Sequence, residues 1–397
     1  MILRTFSRSP WSSPSEPAVP SPLAAIAARS LSTRVIGVER EYRIDDPAGA
    51  VDARTLWPTL SGLGAALDPG DPNARRGSWG GVVTVDGAEA EVVTPPVPLQ
   101  PGCTHVAGDL AATGTRFLQR MLPPGLALRG YSTHVNVEVD DRIVVGVARL
   151  VAGRLALPLM LALDRSDSPG LLVRPRRGRL EIGGEFACGT QLRAAVGLAV
   201  GITLLAESAL GARRLTRLLP SLPRPEVVPA RERYGFYIDR CAFGPDLYLA
   251  GRDTVLRTRR GMITGGDALR AAWRAARPRA ETVLDCDELE GVDAVVDRSR
   301  PIPLEDPEHL DLTGPDPQHA PARSYAPRRR GSVVVTVESA TWWRALLRVD
   351  NPRGTCWVTV PGRALDTTLE AIDQGCLDDA LTDLAAPGPR RHLFVRA

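Results

Sequence analysis

Residues 37–42 read Gly-Val-Glu-Arg-Glu-Tyr, and residues 132–138 read Ser-Thr-His-Val-Asn-Val-Glu. On a strand, side chains two apart share a face. Glu39 and Glu41 would therefore leave one strand together, and His134, Asn136 and Glu138 another. The alternation extends over residues 35–44 and 130–139, which read as strands. Two further segments repeat the pattern. Glu89 and Glu91 lie two apart in residues 89–94, Glu-Ala-Glu-Val-Val-Thr. Residues 82–94 read as a hairpin turning at Asp86-Gly87. Arg179 and Glu181 share a face in residues 179–186, Arg-Leu-Glu-Ile-Gly-Gly-Glu-Phe, and Glu185 joins them if no bulge forms at Gly183-Gly184.

Outward from these strands, helical periodicity covers residues 57–67, 104–121, 143–163 (interrupted by Pro158), 191–211, a stretch from 266, and 365–384. Residues 332–338 and 356–360 read as further strands. The arginine-rich residues 174–179 read as a loop, and the proline-rich residues 301–331 as a long one. Residues 1–33, rich in Ser, Pro, Ala and Arg, read as a disordered tail. That leaves residues 34–397 as a single catalytic domain. No Gly-x-Gly-x-x-Gly follows a strand, and βαβ regularity is absent. The expected class is α+β rather than a doubly wound parallel sheet.

The 397 residues contain no lysine, so all 49 basic residues are arginine. With abundant Ala, Gly and Pro, this is the composition of a GC-rich, bacterial genome. It excludes a P-loop lysine, a Schiff-base lysine and the strand lysine of protein kinases. Phosphates would have to be met by arginine, backbone amides and metal ions. The net charge of +3 gives no reason to expect nucleic acid or an anionic membrane as partner. No apolar run reads as a bilayer span. Six cysteines without a CxxC argue for reduced thiols in a cytoplasm rather than zinc or disulfides.

A lone Glu-x-Glu on a strand is most often a solvated outer face. Four such segments in one chain suggest something else. Carboxylates gathered on one face repel each other unless hard cations sit between them. Mg2+ takes oxygen ligands and holds phosphates, and Mn2+ accepts a histidine as well.

The ordered set Gly-Val-Glu-Arg-Glu-Tyr, Glu-Val-Val-Thr-Pro-Pro, Ser-Thr-His-Val-Asn-Val and Gly-Arg-Leu-Glu-Ile-Gly-Gly-Glu-Phe, leading into a long helix, resembles the glutamate–cysteine ligase type 2, or carboxylate–amine ligase, family. The resemblance spans about residues 35–211. It implies a glutamine-synthetase-like fold, a curved antiparallel sheet forming a funnel with flanking helices. It implies ATP with Mg2+ or Mn2+ as cofactors, and amino-acid substrates. Glu39, Glu41, Glu91, His134 and Glu181 match the metal positions. His134 matches a position near metal and nucleotide, Arg179 would contact phosphate, and Asn136, assigned to the nucleotide end with them, stands where many members have a second histidine. Arg179, Glu181 and Glu185 would carry catalysis, and Glu89, Arg240 and Arg252 would bind substrate, with Arg257 a further arginine of that segment. Two departures stand out. Gly183 occupies the place of an expected arginine, and Phe186 stands about where an aspartate is expected. The expected activity is ATP-dependent amide formation through an acyl phosphate. Two alternatives remain at this stage: a catalytically impaired relative that only binds its ligands, and a ligase acting on a peptide or protein carboxylate. Oligomeric state is not readable.

Overall fold

The computed structural model describes residues 34–60, 62–163, 170–211, 222–229, 235–297, 325–384 and 392–394, with residues 22, 23 and 25. All of the tail expected over 1–33 except residues 22, 23 and 25, and most of the loop expected over 301–331, lie outside these residues. A single domain was expected over 34–397. Instead, one compact unit spans Thr33–Tyr325 and a second contains Ala326–Ala397.

The larger unit is mixed α/β, built on an antiparallel sheet with flanking helices. Its strands are β1 (Val35–Asp46), β2 (Gly49–Val51), β3 (Arg75–Arg76), β4 (Val82–Asp86), β5 (Glu89–Val93), β6 (Val97–Pro98), β7 (Ala127–Glu138), β8 (Gly170–Arg176), β9 (Arg179–Glu185), β10 (Val228–Pro229) and β11 (Phe236–Asp239). They run in the order β10-β11-β8-β9-β7-β1-β5-β4-β3, with β2 and β6 also paired to β1. The four carboxylate-bearing segments of the sequence thus lie on β9, β7, β1 and β5, which are consecutive in the sheet. A hairpin, β12 (Val255–Thr258) and β13 (Gly261–Thr264), stands apart from it.

One face of the sheet is apolar. Val38 and Tyr42 of β1, Val135 and Val137 of β7, and Leu180 and Ile182 of β9 are fully buried in the core. The helices are α1 (Cys103–Met121), α2 (Val144–Ala162), α3 (Gly189–Gly211), α4 (Gly265–Ala280) and α5 (Cys286–Val296). Helix α3 is apolar all round, as a helix packed among other helices must be. By length and composition α2 and most of α3 could cross a bilayer, which the sequence reading did not anticipate. Both are mostly buried within the unit. Pro158 lacks the N–H that would reach residue 154, and α2 widens into a π-turn over Val151–Leu155 just ahead of it.

Several expectations need correction. Residues 57–67 are not a helix. A short turn, Ala53–Leu56, runs into a 3-10 turn at Trp57–Thr59. Residues 174–179 are not a loop but the end of β8, a two-residue turn and the start of β9.

The smaller unit holds a second sheet in the order β14 (Arg328–Arg330), β15 (Val333–Ala340), β16 (Arg344–Asn351), β17 (Gly354–Pro361) and β18 (His392–Phe394). Strand β14 falls where the expected long loop was to end. The final helix is two, α6 (Leu365–Asp373) and α7 (Asp378–Asp383), interrupted where Gly375 takes a left-handed φ of 77°.

Candidate active site

Strand register brings the residues singled out from the sequence together. Across β7 and β1, Asn136 faces Gly37, His134 faces Glu39, and Ser132 faces Glu41. Glu41 faces Glu91 of β5. Across β7 and β9, Glu138 faces Arg179, Asn136 faces Glu181, His134 faces Gly183, and Ser132 faces Glu185. No register shift interrupts β9, so Glu185 does share the face of Glu181. Beyond β9, Arg174 faces Glu181 and Arg176 faces Arg179. Opposite residues project to the same side. One face therefore carries arginines at one end, Glu39, His134 and Glu181 in the middle, and Glu41, Glu91 and Glu185 at the other end.

The middle is tightly built. His134 Nδ1 lies 3.4 Å from Glu39 Oε2 and 3.6 Å from Glu181 Oε1. Its Nε2 lies 4.0 Å from Glu41 Oε1. Ser132 Oγ donates to Glu41 Oε2 at 2.6 Å. Asn136 Nδ2 donates to Glu39 Oε1 at 3.0 Å, and its Oδ1 accepts from Arg179 Nε at 2.7 Å. Glu181, only 1% exposed, stands against the Arg174 guanidinium, with Arg176 Nε 3.4 Å from its second oxygen. Glu181 Oε1 accepts no hydrogen bond despite this ion pair.

Burial and charge divide the carboxylates. Burial alone would raise Glu39, but the hydrogen bond and charge of His134, with Arg179 and Arg174, bring it down to about 2. Burial, then Glu39 and Glu41, push Glu91 well above the ordinary range. Burial and Glu39 raise Glu181 against the opposing pull of His134, Arg174 and Arg176. His134 is raised because its bond to Glu39 and the charges of Glu39, Glu41 and Glu181 outweigh its burial. Burial lowers Arg179. Such opposed shifts in one cleft are a feature of sites that handle charge.

Glu39, His134 and Glu181 each offer a ligand atom, and these atoms lie within 4.8 Å of one another. Two carboxylates and an imidazole could hold a cation such as Mn2+, which accepts a histidine, more readily than Mg2+, which prefers oxygen alone. Glu181 Oε1 is the oxygen paired with Arg174, so an ion bound there would have to displace that guanidinium. A cavity of about 450 Å3 opens at the acidic end, lined among others by Glu41, Ser132, His134, Glu185, Tyr131 and Tyr237. Compared with known proteins, the chain matches no family model and no curated protein.

The two departures from the expected pattern acquire physical reasons. A Cβ on Gly183 would stand 2.8 Å from His134 Cδ2, so His134 occupies the space of a side chain there. Phe186 points to the opposite, apolar face. It is fully buried edge-on to Tyr42, 5.3 Å between centroids, beneath Gly130, whose missing Cβ leaves room for the ring.

Of the remaining expected residues, Glu89 lies at the start of β5, 3.9 Å from Arg43. Arg240 and Arg252 are corrected. Arg240 Nε donates to both oxygens of Asp246, at 2.9 and 2.8 Å, and its guanidinium covers Tyr248. Arg252 is buried and donates to the carbonyls of Val295 and Val296, the last residues of α5. It satisfies helix-end acceptors rather than a substrate. Arg257 is exposed on β12. Arg174, Arg176, Ser132 and Tyr237 were missed. The signal for the first two was the alternation Arg174-Pro-Arg176, obscured by its proline.

Proposed function

We propose that this chain is an ATP-dependent carboxylate–amine ligase on a glutamine-synthetase-like sheet, joining an amino-acid carboxylate to an amine. The reading is carried by one observation. Glu39, Glu41, Glu91, His134 and Glu181, on four neighbouring strands, converge on one face between an arginine end and a cavity lined by Glu41 and Glu185 together with Arg43 and Arg129. A free carboxylate is a poor acyl donor, so it must first be activated. Its oxygen would attack the γ-phosphorus of ATP, and ADP would leave. The amine would then attack the acyl carbon, and phosphate would leave.

A bound Mg2+ or Mn2+ would neutralise charge on the transferred phosphoryl group. Glu39, His134 and Glu181 would hold it, with Glu41 and Glu91 adjacent. Arg176 and Arg179 would meet phosphate oxygens through their planar forks. Glu185, lining the cavity, would accept the proton the amine must lose.

The test is phosphate release by purified protein with ATP and Mg2+ or Mn2+, across pools of amino acids. Release that needs one acid and disappears in Glu39→Gln supports the ligase. No release from any pool, together with no nucleotide binding, would sink it. The pairing of Arg174 with Glu181 favours a second reading, a catalytically impaired relative in which an arginine stands in for the cation. Nucleotide binding without turnover would select that reading.

A further inference from the structure

A second cavity, of about 420 Å3, lies at the edge of the large sheet. Strand β4 separates it from the acidic face. Thr84 faces Glu91, and its neighbour Val85 points to the other side, where it lines this cavity. The apolar lining comes from Trp57, Leu60, Leu63 and Val85. Trp57 is itself fixed, because its indole N–H donates to the Asn73 carbonyl at 2.9 Å.

Three polar side chains also line the cavity, Arg54, Asn73 and Arg75. Arg54 is already engaged, since its Nε lies 2.9 and 3.0 Å from the two oxygens of Asp52. Arg75 is different. Half-buried on β3, it has no hydrogen-bonding or ion-pairing partner for its guanidinium among the described residues. The Asn73 carboxamide is likewise unpaired among them, only its backbone being bonded. A half-buried cation lining the same cavity as an indole, left without an anion among the described residues, is a site that a ligand would complete.

We propose that this cavity binds a small organic carboxylate with an apolar, ring-sized body. The body would rest on Trp57, Leu60 and Val85. The carboxylate would take the paired donors of Arg75, the geometry in which guanidinium binds best. Asn73 would supply one further hydrogen bond. One guanidinium balances one negative charge, which favours a monocarboxylate over a phosphate. The site is separate from the Glu39–His134–Glu181 cluster and does not depend on the ligase reading.

The experiment is calorimetric titration of the full chain with benzoate, phenylacetate and indole-3-acetate, using 3-methylindole and tryptamine as neutral and cationic controls. Saturable 1:1 binding of at least one acid, and of neither control, is expected. Arg75→Gln should weaken it about tenfold or more, the size of a lost charge-assisted pair. Leu63→Trp, which keeps Arg75 but fills the cavity, should abolish it. Circular dichroism establishes that both variants fold. Absence of binding by all three acids would overturn the assignment. So would equal binding of the controls, or undiminished binding by either variant.

Discussion

Asn136 donates from Nδ2 to Glu39 Oε1 at 3.0 Å, while its own oxygen accepts from Arg179 Nε at 2.7 Å. The two bonds fix the orientation of a carboxamide that is 1% exposed. They also link the arginine end of the site to its centre, so Asn136 acts by positioning Glu39. Asn136→Leu should leave a Glu39 oxygen and Arg179 Nε without this partner, costing about 1–3 kcal/mol in urea unfolding. Asn136→Asp should keep the Arg179 bond and place a second carboxylate against Glu39. Equal stability in all three proteins would show that the bridge contributes nothing.

The opposed titrations predict a stability maximum for metal-free protein. Glu39 has a folded pKa of about 2, below its ordinary 4.5, so its contribution is present above pH 4.5 and fades as pH falls toward 2. His134 is raised above its ordinary 6.5, so its contribution is complete below that pH and is lost as pH rises through the folded value. Glu91 and Glu181, raised from 4.5, add to the loss on the alkaline side. Unfolding free energies measured in chelator from pH 2 to 9 should fall at both ends. In His134→Gln the alkaline fall should become shallower. An unchanged alkaline slope in that variant would contradict the assigned pair.

Gly183 faces His134, and a methyl group there would press on the imidazole at 2.8 Å. Gly183→Ala should therefore displace His134 from Glu39 and Glu181, at a cost of about 1–3 kcal/mol. Mn2+ titration followed by electron paramagnetic resonance gives a second readout. Weaker Mn2+ binding in the variant, with the fold retained, is the expected result. Wild-type affinity would mean that the imidazole is not a ligand.

Much of this site could be read from the sequence because its segments alternate with period two. Glu39, Glu41, Glu91, His134 and Glu181 each announce a face, and strand pairing then needs only the correct order. Arg174 and Arg176 escaped because Pro175 marks a loop in most settings. Here it is tolerated because β11 pairs with β8 only over Gly170–Val173, leaving Pro175 beyond its reach. Arg240 and Arg252 misled for a different reason. Each answers a local polar demand, an aspartate or a helix end, that has no period and no motif. The break at Gly375 was equally hidden, since the apolar rhythm continues on both sides of it.

Glu288 joins two helix starts that are distant in sequence. Its Oε2 accepts from Gly102 N at 2.8 Å and from Asp285 N at 2.9 Å, and its Oε1 accepts from Thr104 N at 2.7 Å. One buried carboxylate thus meets orphan donors at the N-termini of both α1 and α5, where negative charge is also favoured by the helix dipoles. Glu288→Gln keeps the shape but turns an NH2 group toward backbone donors, and should cost about 2–3 kcal/mol. Glu288→Ala should cost at least as much. Cys103 supplies a local readout. Burial, with Glu288 nearby, pushes its thiol up to about 12, so it should resist alkylation at pH 8 while the exposed Cys241, Cys286 and Cys376 react. Loosening α1 should expose it. Faster alkylation of Cys103 in Glu288→Gln, resolved by peptide mass spectrometry, is the expected result. An unchanged rate with an unchanged unfolding midpoint would remove the clamp from the account of this fold.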